Sequence, residues 1–276
     1  MVEYVIANAT VVPVRENPSE GAEQLTQLLF GEVCEVLDCL PRWTKIRSTL
    51  DGQEGWVDFK MVSPASSLIA SSPHRLEAIV AAPMAAATPM DGGADLLLTL
   101  GTRLPNYSHG TFEVLGQQYL IDPTCVNITT AQRSTGEPDL QQSDLQRSDL
   151  VTIAQSLLNA PYLWGGKNLM GIDCSGFTQV VYAAMGVNLL RNAREQITQG
   201  EVVPSLAEAM PGDLVFFDHA DRDPKATNIS HVGMLFSPTE VIHCSGCVHV
   251  DAIDQEGIHL ANGELTHHLV KIKRYL

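Results

Sequence analysis

The chain has 276 residues, of which 45% are hydrophobic and 18% charged, a composition typical of a globular protein with about two or three domains. Its formal net charge of −15 argues against binding to nucleic acid or to an anionic membrane surface. Residues 1–10 lack the basic and apolar regions of a signal peptide, and no segment has the roughly 18–20 apolar residues of a membrane span. The six cysteines are spread too widely for a dense disulfide pattern and are expected to be thiols. We therefore expect a cytoplasmic protein with no nucleic-acid and no membrane partner.

Residues 1–63 carry short apolar runs separated by turn signals, a pattern that predicts a small β-barrel. Strands are predicted within 2–14 and at 25–30, 32–37, 44–47 and 55–59, with glycines in the turns. The stretch from Val14 to Val57, above all Gly55-Trp56-Val57, resembles a bacterial SH3 domain.

The middle of the chain predicts a second β unit between two linkers. Residues 64–74 are rich in Ser, Ala and Pro, and residues 129–147 in Gln, Ser, Thr and Asp, as linkers often are. Residues 75–128 contain five further short strand patterns, and their order resembles a second, more degenerate SH3-like unit.

Residues 148–276 predict a domain of a different class. Helices are expected first, at 148–158, 174–185 and near 191–199. Strands are expected after Pro211-Gly212-Asp213, at 214–217, 231–236, 240–244, 248–253 and 271–275. Helices followed by an antiparallel sheet indicate an α+β domain, so the expected fold is multidomain, with two small all-β SH3-like barrels before it.

Cys174 is the first candidate for chemistry, because it follows a glycine-rich loop and opens a predicted helix. Phe177 and Val181 belong to the apolar stripe of that helix. A helix N-terminus favours an anion, so we expect this position to lower the pKa of the thiol and favour the nucleophilic thiolate. The alternative is a buried, inert cysteine near a helix start.

His231 and His243 are the candidates for a base and the group that orients it. They lie in neighbouring strands of one predicted hairpin, joined by Ser237-Pro-Thr-Glu240. A simple register does not place them directly opposite, so their contact would need a bulge or a strong twist. A histidine on an apolar strand is more often a satisfied core residue, which is the alternative for each.

Several motifs occur together in the order found in NlpC-type cell-wall peptidases, which are papain-like cysteine peptidases. They are Tyr162-Leu-Trp-Gly-Gly, Asp173-Cys-Ser-Gly-Phe, Pro211-Gly-Asp-Leu-Val-Phe-Phe, Ile229-Ser-His-Val-Gly and Ile242-His-Cys-Ser-Gly. With its SH3-like units, the chain resembles the γ-D-glutamyl-L-diamino acid endopeptidases of the dipeptidyl-peptidase VI type, which carry two bacterial SH3 domains ahead of the peptidase domain.

This resemblance implies a role for each matching residue. Cys174 would be the nucleophile, His231 the general base, and His243 the residue that orients His231. Tyr162 would form the oxyanion hole with the backbone N–H of Cys174. Packing of the loop is the alternative for Tyr162. The implied substrate is a murein peptide, L-Ala-γ-D-Glu-diamino acid.

The resemblance also implies substrate-binding residues. Asp173 and Ser175 would line the pocket for D-Glu, and Trp164 would shape its wall unless it only packs the loop. In these enzymes an acidic residue and a tyrosine of the first SH3 domain recognise the free α-amine of L-Ala. Glu23 matches the acid, with a solvated surface loop as its alternative, and Arg191 matches a residue that would meet substrate carboxylates.

The chain departs from this family pattern at three positions. Gln53 stands where the tyrosine of the amine site is expected, and Asn192 and Ala193 replace an acid and a small hydroxyl residue. The change at Gln53 argues against a complete site for the free amine, and from the changes at Asn192 and Ala193 we expect altered affinity with activity retained.

No metal and no cofactor are predicted. Cys244 and Cys247 form a Cys-x-x-Cys pair, but a structural zinc site needs four ligands, and this pair is expected in a strand or turn. No phosphate-binding glycine loop is present in the sequence.

Three functions fit these observations. The first is a cytoplasmic cysteine endopeptidase that cleaves the γ-D-Glu–diamino acid bond of murein peptides in cell-wall recycling. The second is a wall-remodelling hydrolase that acts on intact peptidoglycan. The third is a catalytically silent SH3-type glycopeptide-binding module, which the joint presence of Cys174, His231 and His243 disfavours.

Overall fold

The computed structural model describes residues 3–65, 77–129, 140–219 and 228–276. Most of the predicted linker 64–74, and residues 130–139 of the predicted linker 129–147, lie outside the described residues. The described residues form an N-terminal unit, a middle unit and a C-terminal unit along the chain.

The N-terminal unit is an antiparallel sheet in the order β3-β2-β6-β5-β4-β1-β7. Alternate residues of these strands point inward and form a core that includes Val12, Val14, Ile46 and Val57. The strands are β1 (Tyr4–Ala7), β2 (Val11–Arg15), β3 (Gln24–Leu29), β4 (Val33–Cys39), β5 (Trp43–Ser48), β6 (Glu54–Asp58) and β7 (Val62–Ala65).

The middle unit consists of a four-stranded sheet, β10-β9-β13-β12, and a three-stranded sheet, β11-β8-β14. Ile6 and Phe30 of the N-terminal unit pack into its core, so the two units share apolar surface. The strands are β8 (Glu77–Val80), β9 (Met84–Pro89), β10 (Leu96–Thr99), β11 (Arg103–Leu104), β12 (Thr111–Val114), β13 (Gln117–Ile121) and β14 (Val126–Thr129). Its assignment as a second SH3-like barrel stays a prediction.

The C-terminal unit packs helices against an antiparallel sheet in the order β17-β23-β18-β19-β20-β21-β22, in which β22 also pairs with β23. The helices are α1 (Leu140–Gln155), α2 (Cys174–Ala183) and α3 (Ala193–Gln196), with a small hairpin of β15 (Lys167–Asn168) and β16 (Gly171–Ile172) before α2. The large sheet contains β17 (Glu201–Val203), β18 (Leu214–His219), β19 (His231–Ser237), β20 (Glu240–Ser245), β21 (Cys247–Ile253), β22 (Gly257–His259) and β23 (Leu265–Arg274).

The core of the C-terminal unit joins α2 to the central strands. Phe177, Val180 and Val181 of α2 share one cluster with Val232 of β19 and Ile242 of β20. The apolar spacing that predicts the helix therefore also fixes the face of the sheet on which Cys174 lies. Over the described residues strand is much more common than helix, and the α+β description of this unit stays a prediction.

Helix α1 differs from its predicted bounds of 148–158. It begins at residue 140, so residues 140–147 of the predicted linker are helical, and it ends at residue 155. The polar composition suggested a linker, but residues 140–155 contain no glycine or proline that would interrupt a helix. Within the described residues, no helix is both long and apolar enough to cross a membrane.

Candidate active site

Cys174 is the first residue of α2, and Asp173 caps that helix. The Asp173 carboxylate accepts hydrogen bonds from the backbone N–H of Gly176 at 2.7 Å and of Gly165 at 2.8 Å. These bonds tie the helix start to the glycine-rich loop before it. A Cβ on Gly176 would lie only 2.1 Å from the carbonyl oxygen of Gly166, so the helix and the loop can approach this closely only without a side chain there.

Arg191 joins the Cys174 helix to the N-terminal unit. Its Nη1 and Nη2 donate to the two carboxylate oxygens of Asp173 at 3.0 and 2.6 Å. Nη1 also donates to Ser175 Oγ at 2.9 Å, and Nε donates to Thr26 Oγ1 of β3 at 2.7 Å. The side chain is only 1% exposed. The guanidinium is thus buried and bonded within the protein, and the contact with substrate carboxylates that the resemblance implies for Arg191 stays a prediction. Asp173 and Ser175 belong to the same buried network.

The thiol of Cys174 has a higher pKa than the sequence suggested. Burial, followed by the negative charge of Asp173, raises it to about 12. Hydrogen bonds from the backbone N–H groups of Val232 and Ser175, and the charge of Arg191, oppose this rise without cancelling it. The expectation of a lowered pKa is therefore wrong, because desolvation outweighs the helix N-terminus. A thiol in this environment needs a base to take its proton.

His231 and His243 are in direct contact, with Nε2 of His231 2.8 Å from Nδ1 of His243. Both side chains are buried. The strand register pairs His243 with Gly233, and His231 precedes Gly233 by two residues and therefore shares its face of the sheet. The two rings meet diagonally across the strands, as side chains at this offset can. The register shift in this pair lies beyond Leu235, so no bulge separates the two histidines. Of the two features expected from the sequence, a bulge or a strong twist, the bulge is therefore not needed for the contact.

Gly233 leaves the space that this diagonal contact needs. A Cβ at Gly233 would lie 2.6 Å from Val241 Cγ2 and 3.0 Å from His243 Cβ. We expect Gly233→Ala to displace His243 and lower kcat by about 10–100-fold, since a shift of about 1 Å can cost that much. Steady-state kinetics checks this, with Gly21→Ala as control because a Cβ there meets no atom within 4 Å. Unchanged kcat in a folded Gly233→Ala variant would contradict the expectation.

Tyr162 lies partly exposed beside Cys174. Its backbone N–H donates to the carbonyl of Gly246 at 2.8 Å, which fixes the loop against the sheet. Burial, and then the negative charges of Cys174 and Asp173, raise the pKa of its hydroxyl well above the usual range. The hydroxyl therefore keeps its proton at neutral pH and can donate a hydrogen bond to a developing oxyanion.

Trp164 and Glu23 meet across the contact between the N-terminal and C-terminal units. Trp164 Nε1 donates to Glu23 Oε1 at 2.7 Å, and Gln24 Nε2 donates to the carbonyl of Trp164 at 3.1 Å. A Cβ on Gly165 would lie 2.5 Å from the carbonyl oxygen of Gln24. The loop that leads to Cys174 is thus packed directly on β3, and Trp164, a residue that is 59% exposed, lies beside a carboxylate of the N-terminal unit.

Two of the positions that depart from the family pattern contact each other. Asn192 Nδ2 lies 3.4 Å from Gln53 Oε1, and Asn192 also donates to Glu195 Oε2 at 2.9 Å. A neutral pair of amides therefore stands where the resemblance suggests a tyrosine and an acid.

Sequence reasoning missed residues that surround the two histidines. Asp251 Oδ2 lies 3.1 Å from His243 Nε2 and 3.1 Å from His249 Nε2, and the ring centroid of His267 is 4.6 Å from that of His231. The two-residue spacing of His249 and Asp251 in β21 could have signalled that they share a face.

Ligand atoms of His243, His249 and Asp251 lie within 4.8 Å of one another, close enough to share a metal ion. In this structure the Asp251 carboxylate instead pairs with both histidines through hydrogen bonds.

Two family models match the chain. Residues 159–269 match the NlpC/P60 family, and residues 10–63 match the bacterial SH3 domain. The first match contains the glycine-rich loop, Cys174 and both histidines, and the second contains Glu23.

Named relatives and a solved structure agree with these matches. The chain is 28% identical over 232 residues to the γ-D-glutamyl-L-lysine dipeptidyl-peptidase of Bacillus cereus and 27% identical over 230 residues to that of Bacillus subtilis. Each alignment covers 79% of this chain, and they span 66% and 71% of the relatives' lengths. The crystal structure of an NlpC/P60 family protein from Bacillus cereus has the same fold, with a TM-score of 0.80, 20% identity and 99% coverage of both chains. We conclude that the chain contains an NlpC/P60 domain, at residues 159–269, and carries a bacterial SH3 domain, at residues 10–63, ahead of it.

Proposed function

We propose that this protein is a cysteine endopeptidase that hydrolyses the γ-D-Glu–diamino acid bond of murein peptides. It releases L-Ala-γ-D-Glu from stem peptides with a free N-terminal L-Ala. The observation that carries the proposal is the docking of Trp164 on Glu23, which brings a carboxylate of the SH3 domain to the loop that leads to Cys174. The names of the two Bacillus relatives support the same bond.

The proposed reaction begins at Cys174. His231 takes the thiol proton while the sulfur attacks the γ-carbonyl carbon of D-Glu, and the carbonyl oxygen becomes an oxyanion. The Tyr162 hydroxyl and the Cys174 backbone N–H donate to that oxyanion. The carbon–nitrogen bond then breaks as His231 gives its proton to the leaving amine of the diamino acid. Water, deprotonated by His231, hydrolyses the resulting thioester and restores the thiol.

Glu23 is the proposed receptor for the α-amine of L-Ala. A carboxylate can accept further hydrogen bonds beyond the one that Trp164 donates to Oε1. An ammonium group bound there would fix the distance from the peptide end to Cys174, which limits cleavage to a dipeptide product. The neutral pair of Gln53 and Asn192 adds no charge to this site.

We expect Glu23→Gln to lower kcat/KM for a free-amine peptide by about 10–100-fold, the value of a charge-assisted hydrogen bond of about 1.5–3 kcal/mol. The glutamine can still accept from Trp164, so the loss should appear mainly as a higher KM. Glu20→Gln, at an exposed position of the same loop, is the control. An unchanged KM for Glu23→Gln would exclude this amine site.

Mass spectrometry of the products tests the proposed bond and the amine requirement together. The substrates are L-Ala-γ-D-Glu-meso-diaminopimelate, its L-lysine counterpart and their N-acetylated forms, with Cys174→Ala as control. Cleavage of the free-amine peptides alone supports the proposal. Cleavage of neither form, together with an unreactive Cys174, would favour the binding-module function.

A wall-remodelling hydrolase is the second candidate, and the contact between Gln53 and Asn192 favours it. Without the expected tyrosine and acid, the amine site would tolerate longer or acylated peptide ends. Equal cleavage of acetylated and free-amine substrates is the result that this candidate predicts.

We also propose the wider setting of the reaction. We propose two SH3-like domains, at residues 1–63 and 75–128, and a peptidase domain at residues 148–276. A linker at residues 129–147 precedes the peptidase domain, and residues 140–147 of it are helical. The reaction is placed in the cytoplasm, where peptides from wall turnover would be recycled. Cell fractionation with an antibody to the protein tests that location, and its recovery outside the cytoplasm would overturn it.

A further inference from the structure

Asp251 extends the line of hydrogen bonds that starts at His231. Residue His243 of β20 pairs with His249 of β21, and Asp251 follows two residues later on the same face. Asp251 Oδ2 lies 3.1 Å from His243 Nε2. The nitrogens of His243 are therefore each engaged, Nδ1 with His231 and Nε2 with Asp251.

The second histidine holds the carboxylate in place. His249 Nε2 lies 3.1 Å from Asp251 Oδ2, while His249 Nδ1 lies 2.8 Å from the carbonyl oxygen of Cys247. Both ring nitrogens of His249 therefore face oxygen atoms, which holds the ring beside Asp251. The hydrogen bond from His243 is the largest cause of a lowered pKa at Asp251, so the carboxyl is ionised near neutral pH.

The ionised carboxylate decides which nitrogen of His243 carries the proton. A carboxylate only accepts hydrogen bonds, so His243 Nε2 must be the N–H donor. Burial lowers the pKa of His243, so its ring is neutral and Nδ1 is an acceptor. His231 Nε2 must then donate to that acceptor, which places the lone pair of His231 on Nδ1. This is the tautomer in which His231 can take a proton at Nδ1.

We propose that Asp251 is a positioning residue that fixes the tautomer of His243 and, through it, the tautomer of the base His231. The inference rests on the proposed roles of Cys174, His231 and His243. Asp251 does not take up a proton in the reaction. It holds its neighbour as an Nε2 donor before and after His231 removes the thiol proton.

Replacing Asp251 with asparagine tests the proposal, because the amide NH2 can donate to His243 Nε2 and reverse both tautomers. The orienting aspartate next to a catalytic histidine is worth about 10⁴-fold in kcat in serine proteases. Asp251 reaches the base His231 only through the ring of His243, so its effect should be smaller. We expect Asp251→Asn to lower kcat by about 10–100-fold with KM within about twofold. Asp254→Asn, which alters an exposed Asp–His pair with His259, is the matched control.

Two further measurements separate positioning from a structural role. In a His243→Ala background, Asp251→Asn should cause no further loss, whereas an equal loss there would overturn the proposal. Nitrogen-15 NMR of the unaltered protein should show His243 as the Nε2–H tautomer at neutral pH, and an Nδ1–H tautomer would equally overturn it. This spectrum needs no substrate and does not depend on the folding of a variant. It can therefore contradict the proposed role of Asp251 even if the proposed peptide specificity is correct.

Discussion

His231→Ala is expected to lower kcat/KM by at least about 10⁴-fold, because it removes the group that takes the Cys174 proton. With a pKa of about 12, the thiol alone is ionised to only roughly 10⁻⁴–10⁻⁵ at pH 7.5. Thiolate forms as pH rises towards that pKa. In the variant, the rate of Cys174 alkylation by iodoacetamide should therefore rise about tenfold per pH unit between pH 7 and 10.

Peptide mapping by mass spectrometry measures this rate for Cys174 separately from the other five cysteines. In the unaltered protein, labelling near neutral pH should be much faster than in His231→Ala. The control is His259→Ala, which removes a histidine paired with Asp254 on another part of the sheet. Equal labelling rates with and without His231 would mean that another group activates the thiol.

Arg191→Met is expected to lower the free energy of unfolding by about 3–5 kcal/mol, the usual effect of removing one partner of a buried ion pair. The Asp173 side chain would be left in a buried position without its bidentate partner. The bond to Thr26 of β3 would be lost as well, so the contact between the SH3 and peptidase domains should loosen. Because Asp173 caps α2, the position of Cys174 depends on the same bonds.

Urea denaturation measures this loss, and Arg47→Met is the matched control. Arg47 pairs with Glu35 and Glu54 on the exposed face of the SH3 sheet, so its removal should change stability far less. Unchanged stability with a strongly raised KM would contradict this structural role and support the substrate-binding role that the resemblance implies for Arg191.

Local sequence patterns predicted much of the site. The glycine-rich loop and the apolar spacing after Cys174 placed that residue at a helix start, and α2 begins there. The strands predicted at 231–236 and 240–244 begin at the first residues of β19 and β20, and each ends one residue before the observed strand does. These features depend on residues close together in the chain, where the period of apolar side chains is informative.

Other features depend on packing between distant segments and were not predictable. Strand β9 is built largely from alanines and lacks β-branched residues over most of its length, so no strand pattern marks it. The burial of Arg191 depends on Thr26, 165 residues away. The pKa of Cys174 was predicted in the wrong direction because a helix start is visible in sequence and desolvation is not.

Trapping the covalent intermediate is the most direct test of the central claim, that Cys174 attacks the γ-carbonyl carbon of D-Glu. The enzyme would be mixed with L-Ala-γ-D-Glu-meso-diaminopimelate, quenched in acid within milliseconds to seconds, and analysed by intact-protein and peptide mass spectrometry. The account predicts an L-Ala-γ-D-Glu acyl group on the peptide that contains Cys174, absent from Cys174→Ala. An adduct on another residue, or one that retains the diamino acid, would contradict it.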